Sequence, residues 1–380
     1  MDSAFPISNR LSIGRSRSVN GPRLMEETNI SLGMSESPTA ESDWVTLLHD
    51  SARSGGQKPQ SMPAPVRARW QARSGGPVRS SPILRDGTLY VASIPGAVHA
   101  FNVETGRAKW TFQAPGQIHS TPSLSGNRIF FGCDNGKVYA LERESGLPAW
   151  EASTQGEVWV SPVIRNGLVF FGSSDGHMYA AELETGKERW KQSLDGRIYS
   201  SAYAAEKAIY VGSGNGSIYA LDSASGKILW TTPTGNGIDS SPALSGDTLL
   251  IGSEDFFFYA LDVRNGTVKW KYETGLGIMS SPAVSGELVV VGGKDGHLYA
   301  WDIPTGELRW KVRAGQVITS PPVIGESVVY IQSGGVVALD NASGKIVWEA
   351  WVGSSVQSAP VISGKSIYIA SNDGEVYALE

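Results

Sequence analysis

The stretch "HLYAWDIPTGELRW" (residues 297–310) decides how this chain is read. Its alanine, Ala300, stands ten residues before Trp310, and its glycine, Gly306, stands four before it. The same triplet recurs as Ala100/Gly106/Trp110, Ala140/Gly146/Trp150, Ala180/Gly186/Trp190 and Ala220/Gly226/Trp230. It appears again as Ala260/Gly266/Trp270 and Ala338/Gly344/Trp348. From Trp70 to Trp310 these tryptophans are spaced forty residues apart, and Trp348 follows after thirty-eight. A fixed period of this size marks a propeller or a solenoid.

Within one period, short runs rich in Val, Ile, Tyr and Phe are punctuated by Gly, Asp and Asn, the pattern of strands and hairpins. In the unit that follows Trp270, "IMSSPAVSG" (278–286) predicts an inner strand and "ELVVVGGKDG" (287–296) a second strand apolar on both faces. Asp295-Gly296 suits a tight hairpin, because glycine accepts positive φ without steric cost. "HLYAWDIPTG" (297–306) predicts the third strand with its turn, and "ELRWKVRAG" (307–315) the fourth. Four antiparallel strands per unit make one propeller blade. The array opens on a fourth strand, "VRARWQA" (66–72), and finishes on a third, "EVYALE" (375–380). Joining the two completes an eighth blade and removes the free edges of an open array. The expectation is an all-β, eight-bladed propeller over residues 66–380.

The repeated pattern A-x-[DEN]-x-x-[TSN]-G-x-x-x-W resembles the tryptophan-docking motif of the pyrroloquinoline-quinone (PQQ) repeat family. The seven full matches are similar in arrangement to the non-enzymatic outer-membrane assembly factors of that family, which are eight-bladed propellers. The resemblance implies a scaffold that binds protein partners in the periplasm or cell envelope. It also implies a structural docking role for Trp70, Trp110, Trp150, Trp190, Trp230, Trp270, Trp310 and Trp348. "SDWVTLLHDSARSGG" (42–56) resembles the short lead-in of such propellers. Residues 42–65 are therefore expected to pack on the ring, and 1–41 to form a mostly disordered tail.

The alternative implied by the resemblance is a PQQ-binding propeller, as in the quinone-dependent dehydrogenases or a sensor. There PQQ is stacked between a tryptophan and a disulfide of adjacent cysteines, with calcium assisting and an aspartate as base. Cys133 is the only cysteine, so that disulfide cannot form, and the regular spacing leaves no room for long pocket-building insertions. No catalytic residues are assigned, and neither a cofactor nor a metal site is expected.

Composition narrows the partners. Lys and Arg number 32 against 37 Asp and Glu, a net charge of −5 without a basic block, which disfavours nucleic acid and anionic membrane. No run of 18 apolar residues predicts a transmembrane helix. The N-terminal region lacks the apolar core of a signal peptide and a cysteine for lipidation. On sequence alone the expectation is a cytoplasmic, monomeric protein, whereas the resemblance points to the envelope. Arg10, Arg15, Arg17 and Arg23 among serines are faintly like a transit peptide, but are read as part of the tail.

Chemistry-bearing motifs are sparse. His49, His99, His119, His177 and His297 show no metal-ligand spacing. "GSGNGS" (212–217) lacks the Gly-Lys-Ser/Thr and helix of a phosphate loop, and reads as a hairpin tip. The sequons at Asn215, Asn265 and Asn341 fall on turns.

Function should then lie where the copies diverge. The column before "SSP" and its variants reads Arg79, His119, Trp159, Tyr199, Asp239, Met279, Thr319 and Gln357. Strand alternation places it near the start of the innermost strand, at one mouth of the central channel. The first six of these form the expected partner-binding set, together with two residues of a hairpin tip. Seven of the eight tips between strands two and three end in glycine; the exception is "SEDF", where Phe256 replaces it and Phe257 follows. An exposed aromatic pair at a loop tip is an interaction candidate.

Overall fold

A computed structural model describes residues 67–351 and 358–380. The tail at 1–41, the lead-in at 42–65 and Gln357 lie outside the described residues. Eight four-stranded antiparallel sheets follow one another, and no helix occurs among the described residues. Seven sheets run in chain order. The eighth pairs Ala68–Arg73 with Glu375–Leu379, in a register that sets Trp70 opposite Ala378. Blades are numbered here from the one containing Arg79, so the closing blade is the eighth. The predicted architecture is the observed one.

The second strands are the core. Leu288–Gly292 is buried along its whole length, as its unbroken apolar run requires. The innermost strands are shorter than the sequence suggests: 278–286 contains a strand only at Ala283–Ser285. The preceding residues form an extended lead-in, because Ser and Thr hydroxyls there take over backbone hydrogen bonds that a ladder would otherwise use.

Each tryptophan joins two blades. Trp110 lies directly opposite Ala100 in its own sheet, where a larger side chain would crowd the ring. The ring then reaches the turn of the next blade. Trp70, Trp110, Trp150, Trp190, Trp230, Trp270 and Trp310 each donate the indole N–H to a carbonyl of that turn at 2.8–3.0 Å. The turn glycine sits beneath the ring. A Cβ added at Gly106, Gly146, Gly186, Gly226, Gly266, Gly306 or Gly344 would stand 2.5–2.8 Å from indole atoms, and φ at all seven is 67–73°. The motif glycine is thus doubly required, by backbone conformation and by contact. Trp348 packs against the core cluster shared by the last blades and the first.

A second belt runs around the channel. The backbone N–H of Ser81 donates to Thr121 Oγ1, Thr121 to Ser161 Oγ, and Ser161 to Ser201 Oγ, at 2.9–3.0 Å. Ser201 donates to Ser241 Oγ, Ser241 to Ser281 Oγ, and Ala359 closes onto Ser81 Oγ, at 2.9–3.1 Å. The belt is interrupted at blade seven. Pro321 has no hydroxyl to accept from Ser281 and no N–H to donate, so Ala359 needs no hydroxyl.

Gly226→Ala should lower stability by about 2–4 kcal/mol, from a left-handed Cβ plus overpacking against Trp190. Gly246→Ala, with φ 56° but nothing within 4 Å, should cost only about 1–2 kcal/mol. Equal shifts of the two urea midpoints would refute the docking role of the glycine.

Candidate functional site

The mouth of the channel is built by alternation in the seven described lead-ins. Val78, Ile118, Val158, Ile198, Ile238, Ile278 and Ile318 are fully buried. Each of the last five fits against a glycine of the preceding blade; a Cβ on Gly172 would stand 2.3 Å from Ile198 Cγ2. The serine after the column points inward too, as Ser80 Oγ–H donates to Ala92 O at 2.8 Å. Between these two anchored residues the column side chain has only the channel side left to it. Hairpin tips share this face: Asp134 N–H donates to Gln117 O, Ser174 to Glu157 O, and Gly214 to Arg197 O, at 2.8–3.0 Å.

Three column residues touch one another across blade boundaries. The His119 and Trp159 rings are 4.6 Å apart between centroids and tilted by 35°. Trp159 and Tyr199 are stacked, at 4.9 Å and 12°. The Arg197 guanidinium carbon lies 5.2 Å from the Tyr199 ring centroid. The result is a continuous His–Trp–Tyr–Arg ladder over three blades, with Trp159 36% exposed. Burial holds the His119 imidazole below its usual range, and Arg79 adds to this. It is therefore neutral at pH 7 and stacks as an aromatic ring.

Beyond Tyr199 the mouth becomes ionic. Asp239 is half-buried; burial raises its carboxyl pKa, and neighbouring Glu254 raises it further. Glu254 in turn accepts from Lys294 Nζ at 2.9 Å. Arg79 is exposed, and Met279 and Thr319 are half-buried with no ring contact to the ladder. The structure thus brings His119, Trp159 and Tyr199 together and sets Asp239 in a separate ionic group. Arg197, Glu254 and Lys294 were missed by the column reading. Their signal was available: the residue two before the column and the second residue of each tip also vary from blade to blade.

The phenylalanine tip divides into two roles. Phe256 is 44% exposed with φ 77°, a left-handed conformation that costs a side-chain-bearing residue about 1–2 kcal/mol. At the sibling Gly96 and Gly216 a Cβ would stand 2.2 and 3.1 Å from a carbonyl oxygen of the following loop. Here that loop offers Leu276, 45% exposed, and Thr274 Oγ1 is within 2.8 Å of both the Phe256 and Leu276 carbonyls. Phe257, by contrast, is half-buried, with Lys271 Nζ 4.2 Å from its ring centroid. The exposed apolar pair is therefore Phe256 with Leu276, not Phe256 with Phe257.

Cofactor chemistry finds a poor match in this donor set. Both neighbours of Trp159 in the ring contribute an aromatic group against its indole. Cys133 is buried, and burial pushes its thiol up to about 11. Among the described residues no three His, Cys, Asp or Glu side chains converge. What the mouth presents is a set of aromatic rings, a flanking guanidinium and a strained, exposed apolar side chain.

Relief of strain gives the test of the tip. Phe256→Gly should be more stable than Phe256→Ala by about 1 kcal/mol, the reverse of the order at an ordinary position. A thermal midpoint higher for the alanine variant would refute a left-handed Phe256.

Among curated proteins none matches the chain. Solved structures similar in fold have diverse roles. BamB from Moraxella catarrhalis superposes with TM-score 0.72 at 19% identity, covering 83% of this chain and 99% of its own. Quinohemoprotein alcohol dehydrogenase from Comamonas testosteroni gives 0.76 at 19%, over 89% and 80% of the two chains. The computationally designed Ika8 protein gives 0.73 at 16%, over 81% and 98%. At such identities the likeness carries the fold alone. The family profile described as "Outer membrane protein assembly factor BamB" matches residues 62–124, 117–198 and 184–380. With that profile spanning every blade, the chain belongs to the BamB family of PQQ-type repeat propellers.

Proposed function

We propose that the protein is a non-catalytic scaffold whose channel-mouth face binds an extended segment or loop of a partner protein in the cell envelope. The observation that carries this reading is the ladder of His119, Trp159, Tyr199 and Arg197, flanked on the same face by Phe256 and Leu276. Aromatic residues and arginine dominate binding hot spots because they bury much area at small entropic cost. A left-handed phenylalanine kept exposed at a turn, where glycine would be free of strain, is the kind of local cost that binding offsets.

Family membership supports the compartment and the partner class, since the family takes its description from outer-membrane protein assembly. The quinone alternative fits the residues less well. His119 and Tyr199 already pack against the Trp159 indole on which a quinone would have to stack, and the lone Cys133 cannot form the vicinal disulfide. Lys294 already neutralises Glu254, where a divalent cation would compete for the carboxylate. No redox step is derived.

Trp159→Ala and Phe256→Gly should each weaken capture of envelope partners by about 30-fold or more, the equivalent of a ~2 kcal/mol hot spot. The surface variant Lys365→Ala should leave capture unchanged. Full recovery of every partner by the double variant would remove this face from the interface. Titration with PQQ and calcium should give no saturable absorbance change, and dye reduction with an alcohol would overturn the non-catalytic reading.

A further inference from the structure

In an asparagine-glycine pair the side-chain amide and the next backbone nitrogen can react with each other, because glycine puts no Cβ in the way of ring closure. Among the described residues the pair occurs at Asn135, Asn166, Asn215, Asn236 and Asn265. At four of these the amide is tied to other groups. Asn135 Nδ2 donates to Tyr139 Oη at 2.8 Å, and its Oδ1 accepts from the Lys137 N–H. Asn166 Nδ2 donates to Glu206 O at 3.0 Å, and Asn215 Nδ2 to Tyr219 Oη at 2.7 Å and Leu194 O at 2.9 Å. Asn265 Oδ1 accepts from the Thr267 N–H and hydroxyl.

Asn236 differs on both sides of the pair. It is exposed, in a position that holds glycine in blades one to four: Gly76, Gly116, Gly156 and Gly196. Its amide makes one hydrogen bond among the described residues, in which Oδ1 accepts from the N–H of Gly237 at 2.8 Å. A carbonyl carbon is one bond from its oxygen, so Asn236 Cγ stands near the about 3–3.5 Å range from which reacting atoms close. The attacking nitrogen is also free of the backbone. Gly136, Gly216 and Gly266 donate their N–H to Cys133 O, Ser213 O and Asp262 O at 2.8–3.2 Å, whereas Gly237 donates to no backbone carbonyl among the described residues.

We propose that Asn236-Gly237 is a self-modification site at the channel mouth, where the asparagine amide is lost as ammonia and an isoaspartyl linkage forms. Solvent hydroxide removes the Gly237 N–H proton, and the electron pair of that nitrogen bonds to Asn236 Cγ. The Cγ–Nδ2 bond breaks, and Nδ2 takes a proton from water and leaves as ammonia. Water then adds to the five-membered imide and breaks one of its two ring C–N bonds. Breaking the bond to Cγ gives an ordinary aspartyl residue. Breaking the bond to the backbone carbonyl carbon leaves the chain running through Cβ and Cγ. Both residues hold the hairpin tip that carries Phe256. Asn236 O accepts from Thr234 Oγ1 at 2.8 Å and Ser253 Oγ at 3.2 Å, and Gly237 O accepts from the Glu254 N–H at 3.0 Å. In the isoaspartyl product the first carbonyl becomes a free carboxylate, and an added methylene displaces Gly237 from Glu254. The effect on partner capture rests on the function proposed above; the chemistry does not.

The full chain, aged at physiological temperature and mildly alkaline pH, is sampled over time by peptide mapping in the mass spectrometer. Isoaspartyl content is read by enzymatic carboxyl methylation. The peptide containing Asn236 should gain the mass difference between –OH and –NH2 at least 5-fold faster than those containing Asn135, Asn166, Asn215 or Asn265, roughly the worth of one ~1 kcal/mol restraining hydrogen bond. The rate should rise with pH, because the attacking nitrogen must lose its proton. Asn236→Gly, the residue of blades one to four, and Asn236→Gln, whose longer side chain closes a six-membered ring less readily, should stay unmodified over the same time. Conversion at Asn236 no faster than at the other four, or conversion there to aspartyl alone, would overturn the proposal. Capture of envelope partners should fall in step with isoaspartyl content in the wild-type chain and hold in equally aged Asn236→Gly. Isoaspartyl formation with unchanged capture would establish the modification and count against the mouth as the partner face.

Discussion

The ring depends on one contact, made seven times: the indole of one blade seated on the turn glycine of the next. A blade is a four-stranded sheet with two apolar faces and cannot bury both alone. The indole covers part of that surface and fixes the neighbour's distance through an N–H···O=C bond at 2.8–3.0 Å. Truncating such a ring costs about 3–5 kcal/mol, which is comparable to a large share of a domain's net stability. Because the contact is made between successive blades, its geometry repeats, and the array closes when Trp70 reaches Gly106.

The serine and threonine belt performs the same task at small radius. Near the axis blades are joined instead by single N–H···O bonds between side-chain hydroxyls and backbone. Its break at Pro321 is self-consistent, because the missing N–H and the missing hydroxyl at Ala359 belong to one link. Between belt and solvent, the column residues are free of structural duty. This is why they vary widely while their neighbours stay Val or Ile on one side and mostly Ser on the other.

How much of the site could be read from the chain follows from that division. His119, Trp159 and Tyr199 stood out because they share one column, and a repeat converts equal position into spatial adjacency. That they stack was not legible, since it depends on side-chain rotation at the mouth. Arg197 and Lys294 escaped because they enter from different loop positions and meet the column only in three dimensions. Phe257 was misplaced for a related reason. Strand pairing with Glu273 begins at that residue, so its ring turns onto the blade beneath Lys271 while Phe256 stays outside.

By itself the sequence determined the blade count, the strand order, the closure and the glycines that receive tryptophan. All of these follow from a forty-residue period and from local rules on φ and ring volume. Tertiary structure decided what the exposed residues do together. It alone showed which rings stack, which carboxylate is neutralised and which tip residue is strained. The physical reason is that a repeat encodes each blade's own geometry, whereas a surface is made between blades, where residues distant in the chain meet.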